Sequence, residues 1–159
     1  MKPFLLAVAG ALTMCGVQAM AAETYALDLI NNSGCVIKYA LSGEPEQKVV
    51  APGAKVNLSI ANDQVAIYPG SKFGNSCHFD QTLELGMIGQ GSAQLLSSNW
   101  SGTRKPLLIK GNLGVASFIF DKEVKQGTSS AIGVINRSFN NLNGNKREIK
   151  IEVADSAAS

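Results

Sequence analysis

The only histidine of the chain, His78, is followed by Asp80 and Glu84, and on an extended strand these three side chains point to one face. Such a set is raw material for a metal site or for acid–base chemistry. A rise of about 3.3 Å per residue spreads positions i, i+2 and i+6 over about 20 Å, so His78 and Asp80 can share an ion but Glu84 cannot join them. Two donors do not close a metal site, and the face reads as solvated polar surface. A serine hydrolase would need His78 as its base, and no G-x-S-x-G turn is present to offer it a serine. Asp63, Asp80, Glu84, Asp121 and Glu123 supply candidate carboxylate pairs for glycoside hydrolysis, but acids at strand ends and turns are mostly solvated. The expectation is a protein without catalytic residues, resident metal or cofactor.

Cysteine chemistry points elsewhere. Of Cys15, Cys35 and Cys77, the first falls in residues 1–21, which have the layout of an export signal. Lys2 is the positive start, Phe4 to Met14 an apolar run too short to cross a bilayer, and Ala19-Met20-Ala21 the small-x-small cleavage pattern. Cleavage after Ala21 is expected, leaving one domain over 22–159 in the periplasm or outside the cell, with a frayed tail from Asp155. A lipid anchor at Cys15 is not expected, because Met14 stands where a lipoprotein signal has a small residue. In an oxidising compartment Cys35 and Cys77 are left to each other, and a disulfide is the natural outcome. For the loop closed between Cys35 and Cys77 the chain-entropy account gives about 4 kcal/mol. No later apolar run has the length of a membrane helix, so no transmembrane span is expected.

Three features suit binding. Trp100, the only tryptophan, sits beside Asn99 in the polar stretch Ser97 to Thr103, where an exposed indole can stack on a sugar ring or anchor a protein interface. The plainer alternative is that it folds back to close one end of the domain. Met87 and Ile88 lie between glycines on a candidate loop tip. Charge is near balance, 14 Lys and Arg against 12 Asp and Glu, but uneven. Residues 22–99 hold four Lys and seven acids, whereas 100–150 hold nine Lys or Arg and three acids. If Arg104, Lys105, Lys110, Lys122, Lys125, Arg137, Lys146 and Arg147 share a face, they suit an anionic envelope surface. Nucleic acid is not an expected partner, because aromatic residues do not interleave with the basic ones.

The elements that must position these residues read as strands. Val56, Leu58 and Ile60 alternate with Lys55, Asn57 and Ser59, and Ile149, Ile151 and Val153 with Glu148, Lys150 and Glu152. Weaker alternation groups Tyr25, Leu27 and Leu29, then Cys35, Ile37, Tyr39 and Leu41, then Cys77, Phe79, Leu83 and Leu85, which puts both cysteines in phase with an apolar face and predicts a buried bridge. Gln64 to Tyr68, Leu107 to Lys110, Leu113 to Phe120 and Ala131 to Arg137 are further strands, and Phe118-Ile119-Phe120, apolar on both faces, predicts a central one. Asn31 to Gly34, Pro52-Gly53, Pro69-Gly70 and Asn143-Gly144 supply turns, while Gly86 to Gln94 and Ser97 to Thr103 lack alternation and predict long surface loops. No helical period with caps is visible. The fold class is an all-β antiparallel sandwich, immunoglobulin-like or a related Greek key, stapled by one disulfide.

The opening layout, with Asn31-Asn32 ending one strand, Cys35 starting the next and Pro52-Gly53 leading into a third, resembles the start of thaumatin-like sandwiches. The many further cysteines of that family are missing, so the resemblance implies a sandwich and carries no residue role across. Exported pilus subunits likewise place two cysteines at comparable separation in an immunoglobulin-like sandwich, but this chain ends Ile149 to Ala154 without their aromatic final strand. Three functions are compatible with these readings. The first is a non-catalytic module recognising a glycan or protein through the loops around Trp100 and Met87. The second is a structural or accessory subunit of an extracellular assembly acting by β-strand addition. The third is a small glycan hydrolase.

Overall fold

The computed structural model describes residues 24–61, 64–86, 91–102, 104–114, 116–122, 124–137 and 148–156. Thirteen strands are found there: β1 (Thr24–Asn32), β2 (Ile37–Leu41), β3 (Lys48–Val50), β4 (Lys55–Ala61), β5 (Val65–Pro69), β6 (Ser71–Phe73), β7 (Ser76–His78), β8 (Gln81–Gly86), β9 (Gly91–Ser97), β10 (Leu107–Leu113), β11 (Ala116–Lys122), β12 (Ser130–Arg137) and β13 (Glu148–Asp155). They form a five-stranded sheet ordered β11-β10-β13-β1-β4, a six-stranded sheet ordered β12-β9-β8-β5-β2-β3, and a small ribbon of β6 with β7. The ladders are antiparallel except β1 with β13, which run parallel. That pairing seats the first described strand between the last one and β4.

Period-2 alternation drives this arrangement. Leu27 and Leu29 from β1, Ile109 from β10 and Ile149, Ile151 and Val153 from β13 turn inward against Ile37, Ile67, Leu83, Leu85 and Leu95 from the other sheet, and all belong to one buried cluster. Each such side chain contributes about 1.5–3 kcal/mol when fully removed from water. At the end of β1 a polar side chain joins this interior. Asn31 is buried, its amide donates to the carbonyls of Cys35 (2.8 Å) and Val50 (2.9 Å), and its Oδ1 accepts from the Ser33 amide and hydroxyl. A buried amide of this kind holds three chain segments in register because each unmet partner would carry a desolvation cost.

Several expectations change. Gly91–Ser97 is a strand and not part of a loop, with Ala93, Leu95 and Ser97 inward. Small inward residues blur the apolar alternation that reveals a strand. Leu113 to Phe120 is interrupted at Gly114, where β10 turns back into β11. β11 is also not central: it forms one margin of its sheet, and Ile119 is 68% exposed. Phe118 and Phe120 point inward in the ordinary half-buried pattern. At the C-terminal end, β13 continues through Asp155, and the Ser156 amide donates to the Pro106 carbonyl at 3.0 Å, so the expected fraying does not begin there.

Candidate functional site at the ribbon end of the sandwich

Cys35 and Cys77 are joined, with Cα atoms 5.9 Å apart across a sequence separation of 42 residues. The bridge is half out of the core, because Cys35 is buried but Cys77 is exposed on the ribbon. Phase with the apolar face is lost between Cys77 and Leu83, since β7 ends at His78 and β8 starts at Gln81. The same break separates His78, Asp80 and Glu84, which do not share one strand face. His78 sits edge-on to the Phe73 ring (5.9 Å between centroids), Asp80 turns toward Arg104, and Glu84 is exposed on β8. Among the described residues no group of three His, Cys, Asp or Glu side chains is placed to hold a metal ion. Asp63 and Glu123 lie outside the described residues, and Asp121 accepts a hydrogen bond from the Ser156 hydroxyl at 2.7 Å.

The segment after β9 folds beneath the ribbon. The Lys105 amide donates to the Lys72 carbonyl (2.9 Å), and Gly102, with φ of +105°, lies so close to Phe73 that a Cβ there would stand 2.7 Å from the ring. Only glycine meets both conditions. Arg104 then runs inward and is 3% exposed. Its Nη1 donates to Ser71 Oγ (3.2 Å), its Nη2 pairs with the Asp80 carboxylate, and its guanidinium lies 4.3 Å from the centre of the Trp100 ring. Burial holds the Arg104 pKa below its ordinary value, though an arginine this well paired stays charged at neutral pH. Trp100 is half-buried, and its carbonyl accepts from the Gly127 amide at 3.1 Å. Trp100 Nε1, Arg104 Nε and Gln81 Nε2 are buried donors without an acceptor among the described residues.

Beside this cluster the outer surface of β8 and β9 forms a shallow groove of about 340 Å³. Asp80 stands at its edge, and Thr82, Ser98, Ser129 and Ser130 supply hydroxyls. The Ser98 amide and hydroxyl both donate to the Asp80 carbonyl (2.9 and 2.8 Å), and Ser97 Oγ donates to the Thr128 carbonyl at 3.1 Å. The backbone that carries Asp80 is thereby fixed, and so is its carboxylate. A carboxylate with surrounding hydroxyls can accept and donate hydrogen bonds along a polyhydroxylated ligand.

The sequence-derived candidates are only partly brought together. Asn99 is exposed next to Trp100. Met87, Ile88, Lys146 and Arg147, with the side chains of Lys122 and Arg137, lie outside the described residues. Arg104 does not belong to a basic surface, because it is buried and neutralised by Asp80. Lys105 pairs with Asp155 and Lys110 with Glu152, each at 3.6 Å, and Lys125 is exposed. Asp80 as a partner of Arg104 had no sequence signal, since alternation groups Asp80 with His78 and Glu84 and nothing in the spacing links it to Arg104. Comparison with known protein families, curated proteins and solved structures finds no match.

Proposed function

We propose that this chain is an exported, non-catalytic binding protein that takes the hydroxyl-rich end of a glycan in the groove beside Asp80. The observation that carries this reading is the Asp80 carboxylate, held by a buried guanidinium at the edge of a groove rich in serine and threonine hydroxyls. Vicinal sugar hydroxyls donate to a carboxylate in pairs, and one whose position is already fixed binds them with less entropy lost. Export is supported by the Cys35–Cys77 bridge, which belongs to an oxidising compartment, and by the signal-like residues 1–21.

Trp100 stacks on Arg104, which pairs with Asp80, so its fluorescence is a built-in reporter for the groove. Titration with arrayed glycans is expected to shift that emission for one class, and Thr82→Val with Ser130→Val to weaken the response at least tenfold while leaving Tm unchanged. A screen without any glycan response, or one indifferent to these variants, overturns the reading. A second reading, a structural or accessory subunit acting by strand addition, is favoured by the open margin of β11.

A further inference from the structure

Each margin of a sheet offers unpaired backbone groups, and proteins blunt such margins with short strands, bulges or charge. Three of the four margins of the two large sheets are blunted. β3 is three residues long and carries Lys48. β12 is irregular between Ala131 and Gly133. β4 presents Lys55, Asn57 and Ser59 outward, with Asn57 tied to Asp28 at 2.6 Å. The fourth, β11, is seven residues long and pairs with β10 in unbroken register.

The phase of its free groups follows from hydrogen bonds at both ends of β10. The Gly114 amide donates to the Glu148 carbonyl and the Ser156 amide to the Pro106 carbonyl, so the even-numbered residues of β10 bond toward β13. Its odd-numbered residues bond toward β11, where they meet Ala116, Phe118, Phe120 and Lys122. Ser117, Ile119 and Asp121 therefore turn their N–H and C=O groups away from the sheet. All three side chains are exposed, and among the described residues no strand pairs with them.

We infer that β11 pairs with β11 of a second copy of this chain, antiparallel and two-fold about Ile119. Ile119 is the central residue of the strand. In this register it faces its own counterpart, and Ser117 of each copy faces Asp121 of the other, a hydroxyl opposite a carboxylate. The three residues with outward backbone groups face one another, which lets them exchange six hydrogen bonds and joins two five-stranded sheets into one. An isologous contact of this kind is closed by symmetry and leaves neither β11 open. Moving the register by two residues sets Ile119 against Ser117 or Asp121 and loses pairs. Exposed Val134 lies beside Ile119 along the same groove, so apolar surface next to the new ladder is covered as well.

This interface uses the edge named in the second functional reading and is independent of the Asp80 groove. Sedimentation of the exported protein over a range of concentrations is expected to show a monomer–dimer equilibrium. Ile119→Lys sets two cations face to face and should weaken dimerisation at least tenfold, with any glycan response, and the Tm at concentrations where both proteins are monomeric, unchanged. Ser117→Lys, opposite Asp121, should keep the dimer or tighten it. Ile119→Cys should form a disulfide-linked dimer when oxidised glutathione is added as the two-electron oxidant, since paired Cα atoms across such a ladder stand about 5.5 Å apart. A monomer at every concentration overturns the proposal, even if the edge accepts a synthetic strand peptide. A dimer indifferent to Ile119→Lys, or disrupted by Ser117→Lys, overturns it too.

Discussion

Asp80 and Arg104 are separated by 24 residues and meet where two irregular segments cross, with Trp100 stacked over the guanidinium. Asp80→Ala leaves the cation buried with Ser71 and the indole beside it and no counter-charge among the described residues, and the cost is expected to be about 3–5 kcal/mol. Arg104→Met in the same background should recover most of that loss, because a neutral side chain of similar length removes the unpaired charge. Denaturant unfolding of the two single variants and the double variant measures the coupling, and additive losses would contradict a paired, buried cation. Trp100→Ala is expected to lower stability by roughly 2–4 kcal/mol, since the indole covers Arg104 and is not displayed freely. At this scale little was legible in advance. Arg104 beside Lys105 has the pattern of surface charge, and nothing in residue type or spacing tells which of two adjacent cations turns inward. The disulfide was legible because only two cysteines remain once Cys15 is assigned to the signal. The exposure of Cys77 was not, because it depends on where β7 ends.

The strands most visible in the sequence are those whose inward positions carry Ile, Leu or Val, such as β13 with Ile149, Ile151 and Val153. β9 hides because its inward side is Ala93, Leu95 and Ser97. The Phe118-Ile119-Phe120 run misleads for a different reason: an apolar outward residue marks a covered strand or an open margin equally well, and only the strand order separates the two. That order also explains Gly133. An added Cβ there would lie 2.2 Å from the Phe120 ring, which reaches across from the margin of one sheet to the margin of the other. Gly133→Ala should therefore force the two margins apart and cost about 1–3 kcal/mol, read as a lower Tm with native far-UV circular dichroism. An unchanged Tm would mean that Phe120 has another place to go. The groove beside Asp80 depends on the same kind of information, since its hydroxyls come from the neighbouring strands β8 and β9 and from the approach to β12, which lies far along the chain.

For the molecule as a whole, fold class was readable because alternation, turn residues and chain length all agree on a sandwich. The parallel union of β1 with β13 was not readable, since alternation does not distinguish parallel from antiparallel neighbours. This union ties the two ends of the described chain into the centre of one sheet, while the Cys35–Cys77 bridge ties β2 to the ribbon outside the other. The bridge therefore acts on the unfolded chain more than on the core. Cys35→Ala with Cys77→Ala is expected to cost about 4 kcal/mol through the restored freedom of the loop, and to raise the denaturant slope because the unfolded state becomes less compact. In the native state the loss should be local. Amide exchange should quicken where the ribbon meets the segment beneath it, first at Lys105, whose amide bonds to Lys72, while amides of β1 and β13 follow only the global change. Equal acceleration in the ribbon and in the central sheet would show instead that the bridge supports the whole sandwich. An unchanged transition midpoint under reducing conditions would show that it supports neither.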